Sequence, residues 1–158
     1  MSKKDICSYN YDELKEEMLL PSLLQETGKF ILADLILNGK KSELFKSKIA
    51  SGSSIEDTEK ELLGFTTNQV TAQIFRHWKL SDNLINMIEH VDDISNANPN
   101  FKQKSQILDV IKTACNIKNP LSEVNVAKAI KKATAYGFDV KIFIKAIETL
   151  QDRLLDEK

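Results

Sequence analysis

Histidine, cysteine, glycine and proline are all scarce in this 158-residue chain, which holds 2 His, 2 Cys, 5 Gly and 3 Pro. Two His and two Cys cannot build a His-rich metal centre or a disulfide framework. Cys7 lies near the start and Cys115 among Ile111, Ala114 and Ile117, with no C-x-x-C spacing. Both read as reduced thiols of a cytoplasmic protein, Cys115 as a small core residue. So few turn formers argue against a sandwich or barrel, and against disorder. A surplus of one charge is missing too. Lys plus Arg number 22 against 23 Asp plus Glu, a formal net charge of −1 with no local basic block, which argues against a nucleic-acid partner. Long apolar runs are also lacking. The stretch Phe30 to Leu37 is too short to span a bilayer and contains Asp34, and no apolar segment follows Met1-Ser2-Lys3-Lys4-Asp5 as in a secretory signal. The expectation is a soluble cytoplasmic protein without a membrane partner.

What is present is helical pattern from end to end. Tyr11 to Met18 reads as a short amphipathic helix, and Pro21 suits the first turn of a second that runs to about Leu37. Phe30-Ile31-Leu32-Ala33-Asp34-Leu35-Ile36-Leu37 is apolar nearly all round, the mark of an enclosed central helix; Asn38-Gly39 stops it. A charged helix follows through Glu43, Leu44, Phe45 and Ile49. Ser54 then supplies a capping hydroxyl for a helix closing at Gly64, and Thr66-Thr67-Asn68-Gln69 has the form of a capping box. Behind it, Thr71, Ile74, Phe75 and Trp78 share one helical face, with Trp78 as a core anchor. Ser81 caps the helix of Leu84, Met87, Ile88 and Val91, and Asp92 to Asn100 reads as a polar loop. Three more helices carry Ile107 to Cys115, Val126 to Ala133 behind a Ser122 cap, and Val140 to Leu150 behind Asp139. No segment alternates over strand length. The fold class expected is all-α, a compact bundle of about seven to nine helices without a sheet.

Chemistry concentrates in Leu23-Leu24-Gln25-Glu26-Thr27-Gly28-Lys29-Phe30. A glycine within an apolar helix costs about 1 kcal/mol against alanine, so Gly28 is kept either for a close helix crossing or for access of a ligand to backbone. The segment resembles the L-L-H-D-I-G-K motif of the HD superfamily of metal-dependent phosphohydrolases. Glu59 to Val70, with Gly64-Phe65 at its centre, is similar to the family's E-x-x-x-x-G-F-D-H-x-x-V. Trp78-Lys79-Leu80-Ser81-Asp82-Asn83-Leu84 is similar to W-x-L-P-x-x-L, and Ile88-Glu89-His90-Val91 falls where the family often ends a helix in paired His. The order is that of the HDOD domain, the regulatory branch found in bacterial signalling proteins.

The resemblance implies an HD-domain-like bundle and a site at Gln25, Glu26, Gly28 and Lys29. In an active HD enzyme, imidazoles and a carboxylate hold metal that activates water. Here Gln25 and Glu26 replace the His and Asp, and Thr67 stands where another His is usual. The residual ligand candidates are Glu26, His90 and Asp92, with Asp93 adjacent and Asp34 on roughly the same face as Glu26. Lys29 either meets a phosphate or is solvated, and His90 is either a ligand or a satisfied, half-buried side chain. His77 reads as a surface cation at a helix end. The expected function is a non-catalytic signalling module acting through protein–protein interaction, with no catalytic residue, metal or cofactor. The alternative is a phosphohydrolase acting on a nucleotide or cyclic dinucleotide with Mn, Fe or Mg at the residual site. The family also implies a helical block ahead of the motif, where this chain has only about twenty residues. The chain thus reads as a single domain over 1–158, with a flexible 1–10 and that block missing. The face of the 21–37 helix so uncovered is expected to meet a protein partner or a second copy.

Overall fold

The structure is a computed structural model that describes residues 11–156; Cys7 and the flexible 1–10 stretch expected above lie outside the described residues. It is all-α, with no strand among the described residues. The helices are α1 (Tyr11–Leu24), α2 (Gly28–Asn38), α3 (Ser42–Ala50), α4 (Ile55–Leu63), α5 (Thr67–His77), α6 (Asp82–Ile88), α7 (Lys102–Ala114), α8 (Glu123–Ala135) and α9 (Val140–Asp156). A short 3-10 turn, Ile94–Asn96, interrupts the polar loop after α6.

The starts follow the capping residues. Ser54 Oγ accepts from Asp57 N at 3.0 Å, and Thr66 and Gln69 form a reciprocal capping box. Ser81 and Ser122 cap α6 and α8 in the same way, and Asp139 Oδ1 accepts from Lys141 N at 2.9 Å at the start of α9. Each hydroxyl or carboxylate satisfies an amide that the first helical turn leaves unpaired. Gly64 ends α4 with φ +88°, a left-handed conformation that a Cβ would strain.

Two apolar cores share α7. Met18, Phe75, Leu84, Ile85, Met87, Ile88, Val91 and Leu108 join α1, α5, α6 and α7. Val110, Ala114, Ala129, Ala133 and Ile147 join α7, α8 and α9. Alanines along α8 let it lie close to α7, the most extensive helix pairing in the fold.

Four features differ from the sequence expectations. Pro21 sits inside α1, and the helix expected over 21–37 is broken at Gln25–Thr27. Gly28 N donates to Thr71 Oγ1 at 2.8 Å instead of continuing the helical ladder, while Thr27 N and Thr27 Oγ1 both turn back to the Leu24 carbonyl. The apolar stretch of α2 is not enclosed: only Gly28 and Leu32 are buried, and Phe30 is 82% exposed. Cys115, expected in the core, ends α7 with its residue exposed. Trp78 stacks on Phe75 at 6.3 Å between ring centroids but is 60% exposed, so it covers the core edge rather than anchoring the interior.

Candidate functional site

The turn between α1 and α2 brings Gln25 and Glu26 against α4, α5 and the loop after α6, and α7 closes the group from the other side. At its centre is Lys112, a residue the motif reading did not single out. Its ammonium donates to Asp92 Oδ1 at 2.6 Å and Asn68 Oδ1 at 2.8 Å. Glu56 Oε1 lies at 3.1 Å and Glu26 Oε1 at 3.7 Å. Three N–H bonds exhaust an ammonium, so Glu26 meets Lys112 by charge alone. The Lys112 side chain is only 7% exposed.

Burial by itself lowers the Lys112 pKa, but Asp92 and Glu56 outweigh it and hold the ammonium above its ordinary range. Burial likewise raises Glu56, and the Lys112 charge overturns that, leaving its carboxyl below the usual range. Glu59 goes the other way. Desolvation pushes it up more than its bonds with Thr67 pull it down. Those bonds are Thr67 N to Glu59 Oε2 at 2.8 Å and Thr67 Oγ1 to Glu59 Oε1 at 2.7 Å. Lys29 is lowered, first by burial and then by the Lys112 charge, and pairs with Glu26.

Four buried atoms in this group have no hydrogen-bond partner among the described residues: Gln25 Oε1, Glu26 Oε1, Asn68 Nδ2 and Asp92 Oδ2. A pocket of about 360 Å³ opens on one side, lined in part by Gln25, Glu26, Lys29 and Lys112. A larger groove of about 920 Å³ opens on the other, past Glu56, Asp92 and Lys112. Lys112 is a wall common to both.

Of the residual ligand candidates, Glu26 and Asp92 are brought together. His90 is not part of the cluster's hydrogen bonding; it is half-buried, with Nε2 3.9 Å from Glu89 Oε2, and Glu89 itself pairs with Arg76. Asp34 is exposed on α2, and Asp93 bonds Ser95 and Asn96. The Thr67 hydroxyl is committed to Glu59. Among the described residues no three His, Cys, Asp or Glu stand at metal-holding spacing. The donor set therefore does not fit a divalent ion as it stands, because a side-chain cation already sits where its carboxylates converge. Gly28 is a close-crossing glycine: its N–H and the Gln25 carbonyl both meet the Thr71 hydroxyl, at 2.8 and 3.1 Å. His77 ends α5 and is exposed.

The Glu59–Thr67 pair gives a test of this electrostatic arrangement. Glu59→Gln keeps both bonds if its amide donates to the Thr67 hydroxyl, and at neutral pH it is expected to change stability by less than about 1 kcal/mol. Glu59→Ala strands a buried N–H and is expected to cost about 1–3 kcal/mol. Because the folded Glu59 pKa lies above its ordinary 4.5, the wild-type protein gains relative to Glu59→Gln at low pH. That advantage is lost as pH rises through the folded pKa. Thermal melts of both proteins across the acid range measure this, and a gap that widens with pH contradicts it.

No helix among the described residues is long and apolar enough to cross a membrane. No curated protein matches the chain. A solved structure, that of a virulence factor from Campylobacter jejuni subsp. jejuni, is similar in fold, with a TM-score of 0.62 at 19% identity. The match covers 85% of this chain and 52% of that one, so the chain spans about half the length of this solved relative. The family model of the HDOD domain matches residues 3–94, which takes in the α1–α2 turn, the capping box and the Trp78 segment. The chain belongs to the HDOD domain family, as the Gln25–Lys29 and Gly64–Val70 motifs had implied.

Proposed function

We propose that the protein is a non-catalytic signalling or regulatory HDOD module that acts through protein–protein interaction at α1 and α2. The observation that carries this is the exposed apolar face of those two helices. Leu19, Leu20, Leu23, Phe30, Ile31, Leu35 and Leu37 are all exposed there, Leu23 at 70%. Asp34 is the exposed acid among the α2 members of this set. Apolar surface of that extent is costly in water and characteristic of a protein-binding face. From Ile31 the surface continues into a groove lined by Phe65, Val70, Ile74 and Trp78. The occupant proposed for purified protein is a second copy of the chain, since in a twofold dimer the same patch meets its own copy and apolar side chains on both sides leave water together. The reading is further supported by the polar cluster, where Lys112 takes the place in which Glu26 and Asp92 would hold a metal.

Sedimentation over a wide concentration range tests it. Wild-type protein is expected to associate reversibly, and Leu23→Glu with Phe30→Glu is expected to stay monomeric at unchanged melting temperature, because both side chains are outside the core. A wild-type protein that sediments as a concentration-independent monomer, indistinguishable from the double variant, overturns the proposed occupant. Metal-dependent hydrolysis of a nucleotide or cyclic dinucleotide, lost on Glu26→Ala, overturns the non-catalytic reading.

A further inference from the structure

Lys112 is placed as a ligand-bound ion is placed, surrounded by oxygens from four separate elements. Asp92, Glu56 and Asn68 lie 2.6–3.1 Å from its nitrogen, and Glu26 stands at 3.7 Å. Oxygens exceed the available N–H groups. Glu26 Oε1 and Asp92 Oδ2 are buried without a partner, as is Oε1 of Gln25, a residue only 2% exposed. Three carboxylates and one amide oxygen form a hard donor set suited to Mg²⁺, Mn²⁺ or Ca²⁺. The present spacing is that of an ammonium, since metal–oxygen distances are about 2.0–2.6 Å. The Lys112 side chain lines both the pocket beside Gln25 and the groove beside Asp92, so the site lies next to open space.

We propose that Lys112 is a tethered cation occupying a latent divalent-metal site formed by Glu26, Glu56, Asp92 and Asn68, and that it keeps the native protein metal-independent. This rests on the non-catalytic half of the functional reading and is independent of the α1–α2 surface. Lysine supplies one positive charge and three directional donors without depending on metal supply. Removing the amine leaves an anionic, oxygen-lined space that a small divalent ion can fill.

The test uses Mn²⁺ with wild type, Lys112→Ala and Lys112→Ala combined with Asp92→Asn, read by calorimetry, Mn²⁺ resonance and melting temperature. Wild type is expected to show no saturable binding. Lys112→Ala is expected to take up one Mn²⁺ per chain and to melt at least several degrees higher with it, and the added Asp92→Asn is expected to abolish both effects. Propylammonium chloride, which returns the lost amine, is expected to raise the melting temperature of Lys112→Ala; tetramethylammonium, with no N–H, is not. If Lys112→Ala does not fold in chelator, Mn²⁺ or propylammonium is expected to restore its helical circular dichroism. A folded variant that binds Mn²⁺ no better than wild type overturns the inference alone, as does an unfolded variant rescued by neither probe. Stoichiometric Mn²⁺ on wild type, lost with Glu26→Gln, overturns the inference together with the non-catalytic reading.

Discussion

Lys112→Met, assayed without added metal, is expected to lower folding stability by about 3–5 kcal/mol, the range for breaking a buried ion pair from one side. For a chain of this size that is roughly a 6–20 °C fall in melting temperature. Methionine reproduces the unbranched stem as far as Cε and omits only the ammonium, so the packing of the stem changes little. What it removes is the partner of Asp92, whose side chain is 9% exposed and whose Oδ1 lies 2.6 Å from the ammonium. A carboxylate left buried and unpaired is the costly outcome. Asp92→Asn in the Lys112→Met background is therefore expected to recover part of the loss, giving a non-additive cycle with a coupling of about 0.5–3 kcal/mol. The pH dependence has a definite sign. The folded Lys112 pKa is raised above 10.5, so its contribution is complete below that value and is lost as pH rises through the folded pKa. The folded Glu56 pKa is depressed below 4.5, so its contribution is present above that value and is lost as pH falls. The difference between wild type and Lys112→Met should thus be largest between those limits and shrink toward strong acid. Chemical denaturation at several pH values measures it. A difference below about 1 kcal/mol, as for an exposed pair, would mean that the cluster is solvated.

That Lys112 was invisible in the motif reading has a physical reason. The family match ends at residue 94, and Lys112 enters from α7, beyond it. A signal did exist: Ser105, Leu108 and Lys112 repeat at i, i+3 and i+7 along the buried stripe of α7, so a lysine occupies a core-facing position. Nothing local says what it meets there. The helix starts at Ser54, Thr66, Ser81 and Ser122 were legible because a cap acts over three residues. The break after Leu24 was not, because it depends on a hydroxyl 43 residues away at Thr71. Of the residues that the motif points to, Glu26 and Asp92 do lie on one cation, whereas Gln25 is buried beside them without a partner for its Oε1 and His90 stands apart from the cluster. The all-round apolar pattern of α2 fits both an enclosed helix and one with an uncovered face. Periodicity reports that a face avoids water and not whether the same chain covers it. Phe30 and Leu37 show that among the described residues it remains open.

Gly28→Ala is the second large effect expected, about 2–4 kcal/mol of destabilisation, and it follows from contact distances rather than from glycine's flexibility. A Cβ at this position would stand 2.4 Å from the Thr67 carbonyl oxygen and 2.9 Å from both Thr71 N and Thr71 Oγ1. Two of those three atoms are backbone of α5, so no rotamer change relieves them; α2 must withdraw from α5. Overpacking of this kind costs about 1–3 kcal/mol, and withdrawal also weakens the buried Gly28–Thr71 hydrogen bond, worth about 0.5–1.5 kcal/mol. Alanine's helix propensity returns at most about 1 kcal/mol at an interior position, and Gly28 is the first residue of α2, where the return is smaller. Gly52→Ala separates the two ways in which a glycine can be required. Gly52 has φ +98° with open space around its missing Cβ, so its replacement meets backbone strain without a clash and is expected to cost only about 1 kcal/mol. The Gly28 variant should also loosen the turn that carries Gln25 and Glu26, raising amide exchange there, whereas the Gly52 variant should leave that turn unchanged. Equal melting temperatures for Gly28→Ala and wild type would show that α2 and α5 do not approach this closely, and the geometry of the Lys112 cluster, which the same turn positions, would fall with it.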